Sequence, residues 1–260
     1  MNSFLHQAEA LEASAAADRV AYLEGLGVLA APLLDVGCGN GYGVRELHKM
    51  GVLAIGVDYS PYRLSRWVQE GLGGRRLVVA DAARLPFRPS VFATVISSGM
   101  LEHIGVSESS APYSVAALPS KHRLRASVLA EFLRVSFGTL VLDFPNGWFP
   151  IDFWHGDTVG AFRVHALPDP LNPSLSELRS YVQGLPLTVL PLRNRLRFHQ
   201  VSRRLWGRIL SPLVRLFLRA VDRLPRTSPL LSILYPYLVV RVDRRLTPAC
   251  SGLASLAADT

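Results

Sequence analysis

Short apolar runs bounded by turn residues alternate with segments of helical spacing along the chain. This alternation is typical of a parallel sheet with helices on both faces, because each strand needs a crossover before the next strand can run in the same direction. The predicted strands cover 33–36, 52–57, 77–80, 92–97, 139–144, 187–192 and 238–242. The predicted helices cover 4–24, 41–50, 61–70, 123–135 and 174–183. The pattern predicts an α/β protein with a doubly wound, mostly parallel, seven-stranded sheet.

The character of the sequence changes after Pro145. The segment 146–173 is rich in proline, glycine, histidine, aspartate and aromatic residues, which is typical of a long functional loop. A basic helical insertion is predicted before the last strand. We therefore divide the chain into an N-terminal helical lid (1–30), a core (31–192), the basic insertion with the last strand (193–246) and a flexible tail (247–260).

Composition narrows the possible classes of protein. The chain has 260 residues, of which 49% are hydrophobic, so it can bury a sizeable core and is not disordered as a whole. Its two cysteines, Cys38 and Cys250, have neither a zinc-type spacing nor a disulfide framework, so we expect no metal and a reducing cytoplasm. The beginning of the chain lacks a basic start followed by an apolar run, and no secretory signal is predicted.

A glycine-rich turn follows the first predicted strand. Four glycines stand at alternate positions in 37–43, where they allow a sharp turn and close approach of the backbone to a ligand. Such a turn could equally serve NAD, FAD or simple helix packing. However, Asp35 precedes the first glycine, which disfavours a diphosphate and favours a cation. Asp58 ends the second strand, where an acid can bind ribose hydroxyls, and Asp81 ends the third strand.

Four runs in this order carry a family resemblance: LLDVGCGNG, GVDYSPYRL, VVADAARLPF and FATVISSGMLEHI. With them, the segment 33–146 resembles class I S-adenosylmethionine-dependent methyltransferases, in particular the large group that acts on small molecules. The resemblance implies a Rossmann-like fold with S-adenosylmethionine as the cofactor. It therefore favours a methyltransferase over a dinucleotide enzyme.

The resemblance also assigns a role to ten residues. The residues that it places around the methionine part and the sulfonium are Asp35, Gly37, Cys38, Gly39, Ser97 and Ser98, and those around the ribose and adenine are Asp58, Tyr59, Asp81 and Ala82. Within this set, Asp35 lies near the amino group, Asp58 binds the ribose, and Asp81 accepts a hydrogen bond from the adenine amine.

Catalysis of methyl transfer depends first on aligning the nucleophile with the methyl group, and an alcohol nucleophile also needs a base. His155, oriented by Asp152, is one candidate base, and His103 is another. A structural interpretation stays open for each, with Asp152 capping a turn and His103 serving as scaffold. The loop around His155 loosely resembles a stretch of some bacterial methyltransferases linked to polysaccharide or lipid pathways.

These observations predict a methyltransferase that acts on a small-molecule, sugar or lipid acceptor, and they favour a hydroxyl as the acceptor group. Two alternatives stay open. One is an N- or carboxyl-methyltransferase of a metabolite, and the other is a non-catalytic protein that binds the cofactor. The oligomeric state does not follow from the sequence.

The predicted insertion carries most of the positive charge of a chain whose net charge is +8. Thirteen arginines face only two acids between residues 193 and 245. Ser211 and Pro212 predict a helix start, and Arg215, Arg219 and Arg223 follow at four-residue spacing among apolar residues. This element suits either the cytoplasmic face of an anionic membrane or a surface helix that covers the sheet. Nucleic acid is disfavoured, because the insertion has few aromatic residues for stacking on bases.

Overall fold

The computed structural model describes residues 2–69, 76–110, 113–152, 163–192, 205–226 and 228–244. The helices are α1 (Asn2–Gly25), α2 (Tyr42–Lys49), α3 (Pro61–Gln69), α4 (Lys121–Val135), α5 (Leu175–Val182), α6 (Leu205–Val221) and α7 (Leu231–Leu234), with a 3₁₀ turn at Leu101–His103. The strands are β1 (Leu33–Val36), β2 (Ala54–Asp58), β3 (Leu77–Val79), β4 (Phe92–Ser98), β5 (Val106–Ser110), β6 (Tyr113–Ala117), β7 (Ser136–Pro145), β8 (Ile151–Asp152), β9 (Arg163–Val164), β10 (Leu187–Val189) and β11 (Tyr237–Asp243).

Seven of the strands form one sheet in the order β10-β11-β7-β4-β1-β2-β3. The neighbours from β7 to β3 pair in parallel, whereas β11 is antiparallel to both β7 and β10. The six strands that run in the same direction are β3, β2, β1, β4, β7 and β10, in this order across the sheet. This is the doubly wound arrangement, with the reversed strand β11 inserted between β7 and β10. The predicted fold class is confirmed, and ligands of such sheets bind at the carboxyl edge where the strand order reverses, between β1 and β4.

The centre of the sheet is covered on both faces. Every residue of β1 is buried, as expected for a parallel strand between two helical layers. Helix α1 packs against α2, so the predicted lid lies next to the element that follows the glycine-rich turn. On α4, Leu129 and Phe132 are fully buried, as are Leu140 and Leu142 of β7. This core fixes the carboxyl ends of β1, β2 and β4, where the predicted site residues lie.

The structure departs from the sequence prediction at three places. Two small antiparallel pairs, β5 with β6 and β8 with β9, lie outside the main sheet and were not predicted. The predicted helix start at Ser211 and Pro212 is wrong, because α6 begins at Leu205 and contains Pro212 in its interior. Proline removes one helical hydrogen bond, but the apolar spacing of the helix continues on both sides of it.

Some predictions fall on residues that are not described. His155, Cys250 and the predicted tail 247–260 lie outside the described residues. Among the residues that the structure describes, no helix is both long enough and apolar enough to cross a membrane.

Candidate cofactor site

The turn after β1 is built by its glycines. Gly37, Gly39 and Gly41 have φ values of 77°, 58° and 76°, a region that side chains other than glycine rarely adopt. The amides of Gly37 and Cys38 donate to the carbonyl of Val57 at 2.8 and 3.0 Å. These bonds hold the turn against the end of β2, so the backbone itself forms one wall of the site.

Asp58 fixes this turn from the side of β2. Its Oδ2 accepts from the amide of Gly39 at 2.9 Å, and its Oδ1 accepts from the amide of Ser60 at 3.0 Å. The indole of the buried Trp67 on α3 donates to the carbonyl of Gly39 at 2.9 Å. Each carboxylate oxygen can accept a second hydrogen bond, so Asp58 keeps the capacity for ribose that the sequence predicts.

Asp35 lies fully buried beneath the turn. Its Oδ2 pairs with Nη2 of Arg19 on α1 at 3.1 Å, whereas its Oδ1 is buried with no hydrogen-bond partner among the described residues. Burial raises the pKa of Asp35, and the charge of Arg19 opposes this rise. A buried acceptor without a donor is costly unless a ligand supplies one. The amino group of S-adenosylmethionine would be such a donor.

A second buried acceptor lies in the same turn. The side chain of Asn40 donates from Nδ2 to Glu12 of α1 at 2.8 Å, while its Oδ1 is buried and has no partner among the described residues. Asp35 and Asn40 thus each have a buried acceptor oxygen without a donor among the described residues. Because such oxygens can only accept hydrogen bonds, this chemistry fits a cationic ligand.

The thiol of Cys38 takes no part in this chemistry. The residue is buried, and burial together with the nearby carboxylates of Asp35 and Asp58 raises the pKa of its thiol. The side chain therefore stays protonated and is a poor nucleophile. This environment is compatible with the predicted approach of Cys38 to the methionine part of the cofactor only through the backbone of Cys38.

The predicted adenine side of the site is open. Tyr59 is 74% exposed, Asp81 is exposed, and Ala82 is half-buried. Oδ1 of Asp81 accepts from the amide of Ala83 at 2.9 Å, which fixes the carboxylate just beyond β3. These residues follow β2 and β3 at the ligand edge of the sheet. Their predicted contacts with a bound ring stay predictions.

The predicted serines end β4 and lie on opposite faces of the strand. Ser97 is buried, and its Oγ lies 3.8 Å from the sulfur of Met100. Ser98 instead donates to the carboxylate of Asp143 on β7, which also accepts from the hydroxyl of Tyr237 at 2.5 Å. Strand β4 therefore connects the cofactor side of the sheet to a buried polar cluster that lies where β7 ends and β11 begins.

Sequence reasoning missed two residues of this region, Arg19 and Asp143. Arg19 had no signal in the sequence, because its contact with Asp35 depends on how α1 packs. Asp143 did have a signal in the sequence, since it is a single acid inside the apolar run 139–144. A buried carboxylate needs donors, and Ser98 and Tyr237 supply them.

The candidate bases differ in their surroundings. His103 is exposed on the 3₁₀ turn that follows β4, and its amide donates to the carbonyl of Met100 at 3.0 Å. Asp152 is buried, and its Oδ2 accepts from Asn172 at 2.8 Å and pairs with Arg163 at 3.3 Å. These contacts give Asp152 a structural role in the loop. Its predicted partner His155 lies outside the described residues, so their pairing stays a prediction.

Comparison with known proteins agrees with this geometry. Residues 34–117 match a family model described as a methyltransferase domain. Residues 34–117 thus carry a methyltransferase domain, whose methyl donor is S-adenosylmethionine. No curated protein matches its sequence.

Solved structures of two methyltransferases are similar to this chain. One is magnesium protoporphyrin IX methyltransferase (ChlM) from Synechocystis PCC 6803 with bound SAM, at 15% identity over 90% of this chain and 80% of that one, with a TM-score of 0.48. The other is the CcbJ methyltransferase from Streptomyces caelestis, at 15% identity over 88% of this chain and 90% of that one, with a TM-score of 0.49.

Gly37 provides a test of the glycine turn. A Cβ at this position would lie 2.9 Å from the sulfur of Met100, and its φ of 77° is strained for alanine. We expect Gly37→Ala to lose stability, by about 1–2 kcal/mol for the backbone strain, and to lose the stabilisation that added S-adenosylmethionine gives the wild type. Thermal unfolding with and without the cofactor measures both effects.

Gly51 is the matched control for this substitution. It also has a φ of 77°, but it lies in the turn after α2, where an added Cβ would meet nothing within 4 Å. Gly51→Ala should therefore lose a similar stability and keep the full response to the cofactor. An equal response to the cofactor in both variants would contradict the role of Gly37.

Proposed function

We propose that this enzyme transfers the methyl group to a hydroxyl of a small-molecule, sugar or lipid acceptor, with His103 as the base. The position of His103 carries the proposal. The imidazole is exposed, and it stands three residues after Met100, whose side chain packs against Gly37 of the cofactor turn. A base at this point lies beside the ligand edge of the sheet and can exchange protons with solvent.

The residues of the turn hold the cofactor. Bound S-adenosylmethionine supplies a methyl group activated by the positive sulfonium. Asp35 accepts from its ammonium through Oδ1, and Asp58 accepts from the ribose hydroxyls. Because Asp35 and Asp58 are fixed by Arg19 and by backbone amides, they need not reorganise when the cofactor binds.

His103 takes up the proton of the acceptor hydroxyl. The hydroxyl oxygen would accept the methyl group of the cofactor, the carbon–sulfur bond would break, and neutral S-adenosylhomocysteine would leave. The imidazole of His103 would take up the hydroxyl proton and later release it to solvent. A side chain on a turn directly after β4 is well placed for this step, since β4 adjoins β1 at the point where the strand order reverses. An amine or carboxylate acceptor would not require this base.

Substitution of His103 tests the base. The natural acceptor is first identified by mass spectrometry of a cell extract incubated with the enzyme and isotopically labelled S-adenosylmethionine. With that acceptor, we expect His103→Ala to lower kcat by about 10²- to 10⁴-fold, with little change in the KM for the cofactor.

His122→Ala is the control, because that histidine is also exposed but lies on α4, where its Nδ1 contacts the hydroxyl of Tyr181. Full turnover by His103→Ala would rule out His103 as the base. A methylated amine or carboxylate as the product would favour the alternative reaction.

A further inference from the structure

Helix α6 leaves a stripe of large apolar side chains in solvent. Ile209, Leu213 and Leu216 are 66%, 62% and 62% exposed. Successive residues of a helix are rotated by about 100°, and this spacing places the three side chains on one side. Leu218 and Val221, which are buried, lie on another side and pack into the protein. The helix therefore has more apolar surface than its packing uses.

Arginines lie beside this apolar stripe. Arg215 and Arg219 are exposed and, by the same helical spacing, share a sector next to that of Leu216. Asp222, the one acid in the sequence from 193 to 242, turns inward, where it accepts from the amide of Leu192 at 3.0 Å and from the hydroxyl of Tyr235. We call the combination of Ile209, Leu213, Leu216, Arg215 and Arg219 the α6 outer face.

The segment after α6 is anchored at the ligand edge of the sheet. Nδ2 of Asn146, just after β7, donates to the carbonyls of Ser232 and Tyr235 at 2.8 and 2.7 Å. Tyr237, the first residue of β11, donates to Asp143 near the end of β7. Because β11 is antiparallel, it begins at the edge where the parallel strands end. The insertion therefore joins the sheet on the side where the cofactor turn lies.

We propose that the α6 outer face docks on an anionic lipid bilayer. The surface of such a bilayer has an apolar acyl boundary and charged headgroups. The apolar stripe can bury itself at the acyl boundary, and the lipid phosphates attract the guanidinium groups. Charge complementarity favours a lipid bilayer, because the segment 193–245, which comprises the insertion and the last strand, carries thirteen arginines against two acids. The sequence leaves open whether the helix packs on the sheet or lies on a membrane. Leu218 and Val221 are buried and pack on the protein, whereas Leu213 and Leu216 are exposed.

Vesicle sedimentation of the full chain tests the docking. We expect binding to vesicles of phosphatidylcholine with phosphatidylglycerol, and much weaker binding to phosphatidylcholine vesicles. Replacing Arg215 and Arg219 of this face, together with Arg223 just beyond the end of α6, by glutamate should weaken the partition onto anionic vesicles by at least about 100-fold, since each basic residue contributes about fivefold. The corresponding triple lysine variant keeps the charge and should bind like the wild type.

Matched variants separate this face from general charge and hydrophobicity. The triple glutamate variant of Arg88, Arg123 and Arg179 makes the same change of charge at exposed positions elsewhere and should still bind. Leu213→Ser with Leu216→Ser should reduce the part of the binding that resists salt, whereas Leu53→Ser, at a residue that is 61% exposed, should not.

Circular dichroism and cofactor binding confirm that each variant is folded. The absence of vesicle binding by the wild type at low salt would overturn the proposal, and so would equal losses in the two triple glutamate variants. Self-association of the wild type that Leu213→Ser with Leu216→Ser abolishes, without any vesicle binding, would instead assign the face to a second copy of the chain. The experiment does not depend on the acceptor, so it stands apart from the proposed reaction.

Discussion

Asp58→Ala is expected to weaken the binding of S-adenosylmethionine by roughly 150- to 25,000-fold, because the predicted ribose contact consists of two hydrogen bonds to a charged acceptor, of about 1.5–3 kcal/mol each. The substitution also removes the acceptors for the amides of Gly39 and Ser60, which hold the turn in place. Equilibrium dialysis with labelled cofactor measures the change. Glu24→Ala, which removes an exposed acid from α1, should bind as the wild type does.

An analogue separates the ribose contact from the support of the turn. The wild type should bind the 2′,3′-dideoxy form of S-adenosylhomocysteine much more weakly than S-adenosylhomocysteine itself. Asp58→Ala should discriminate little between the two, because the group that recognises the hydroxyls is gone. If Asp58→Ala still discriminates as strongly as the wild type, another residue binds the ribose.

Replacement of Arg125 is expected to have the largest effect on stability. This residue is 1% exposed on α4, and its guanidinium donates to Glu177 at 3.0 Å and to the carbonyls of Glu102, Ile104 and Leu171. Arg125→Met would remove a donor from these carbonyls and the ion-pair partner from the mostly buried carboxylate of Glu177. We expect a loss of about 3–5 kcal/mol in the free energy of unfolding, measured by urea denaturation.

The pH dependence of stability provides a second readout. Burial raises the pKa of Glu177, but the hydrogen bond from Tyr181 and the charge of Arg125 outweigh it, so the pKa lies below the ordinary value of 4.5. The stabilisation that Glu177 contributes is therefore present above pH 4.5 and is lost as the pH falls through the lowered value. In Arg125→Met, this acid-dependent loss should shrink.

Arg123→Met is the control for Arg125→Met. It removes an exposed arginine from the same helix and should change the free energy of unfolding by less than about 0.5 kcal/mol. Equal stability of the Arg125 and Arg123 variants would show that the buried network contributes little.

The central part of the fold was predictable from the sequence because strong local patterns coincide with the final packing. β1, β2 and β4 are apolar runs bounded by turn residues, and Pro61 marks the start of α3. The hairpin of β5 and β6 has no such pattern, since Val106–Ser110 is largely polar and small. The start of α6 differs from the prediction because the apolar spacing before Pro212 prevails over the preference of proline for a first helical turn.

The candidate site was predictable where a residue's role follows from its place at a strand end. Asp35 and Asp58 are of this kind, because the carboxyl ends of β1 and β2 meet at the ligand edge. Arg19 could not be predicted, since its ion pair joins α1 to β1 through tertiary packing. The outward orientation of Leu213 and Leu216 could not be predicted either. Apolar residues lie on more than one side of α6, and the sequence does not show which side packs against the protein.

Calorimetric titration of the purified chain with S-adenosylhomocysteine, the demethylated product, tests the central claim most directly. The geometry of the glycine turn, the carboxylate of Asp58 and the oxygen of Asp35 that has no donor in the described part of the chain together predict saturable binding of one ligand per chain. The same titration with S-adenosylmethionine should also give one site. A folded protein that produces no binding heat with either ligand at several temperatures would contradict the assignment of this site to the cofactor.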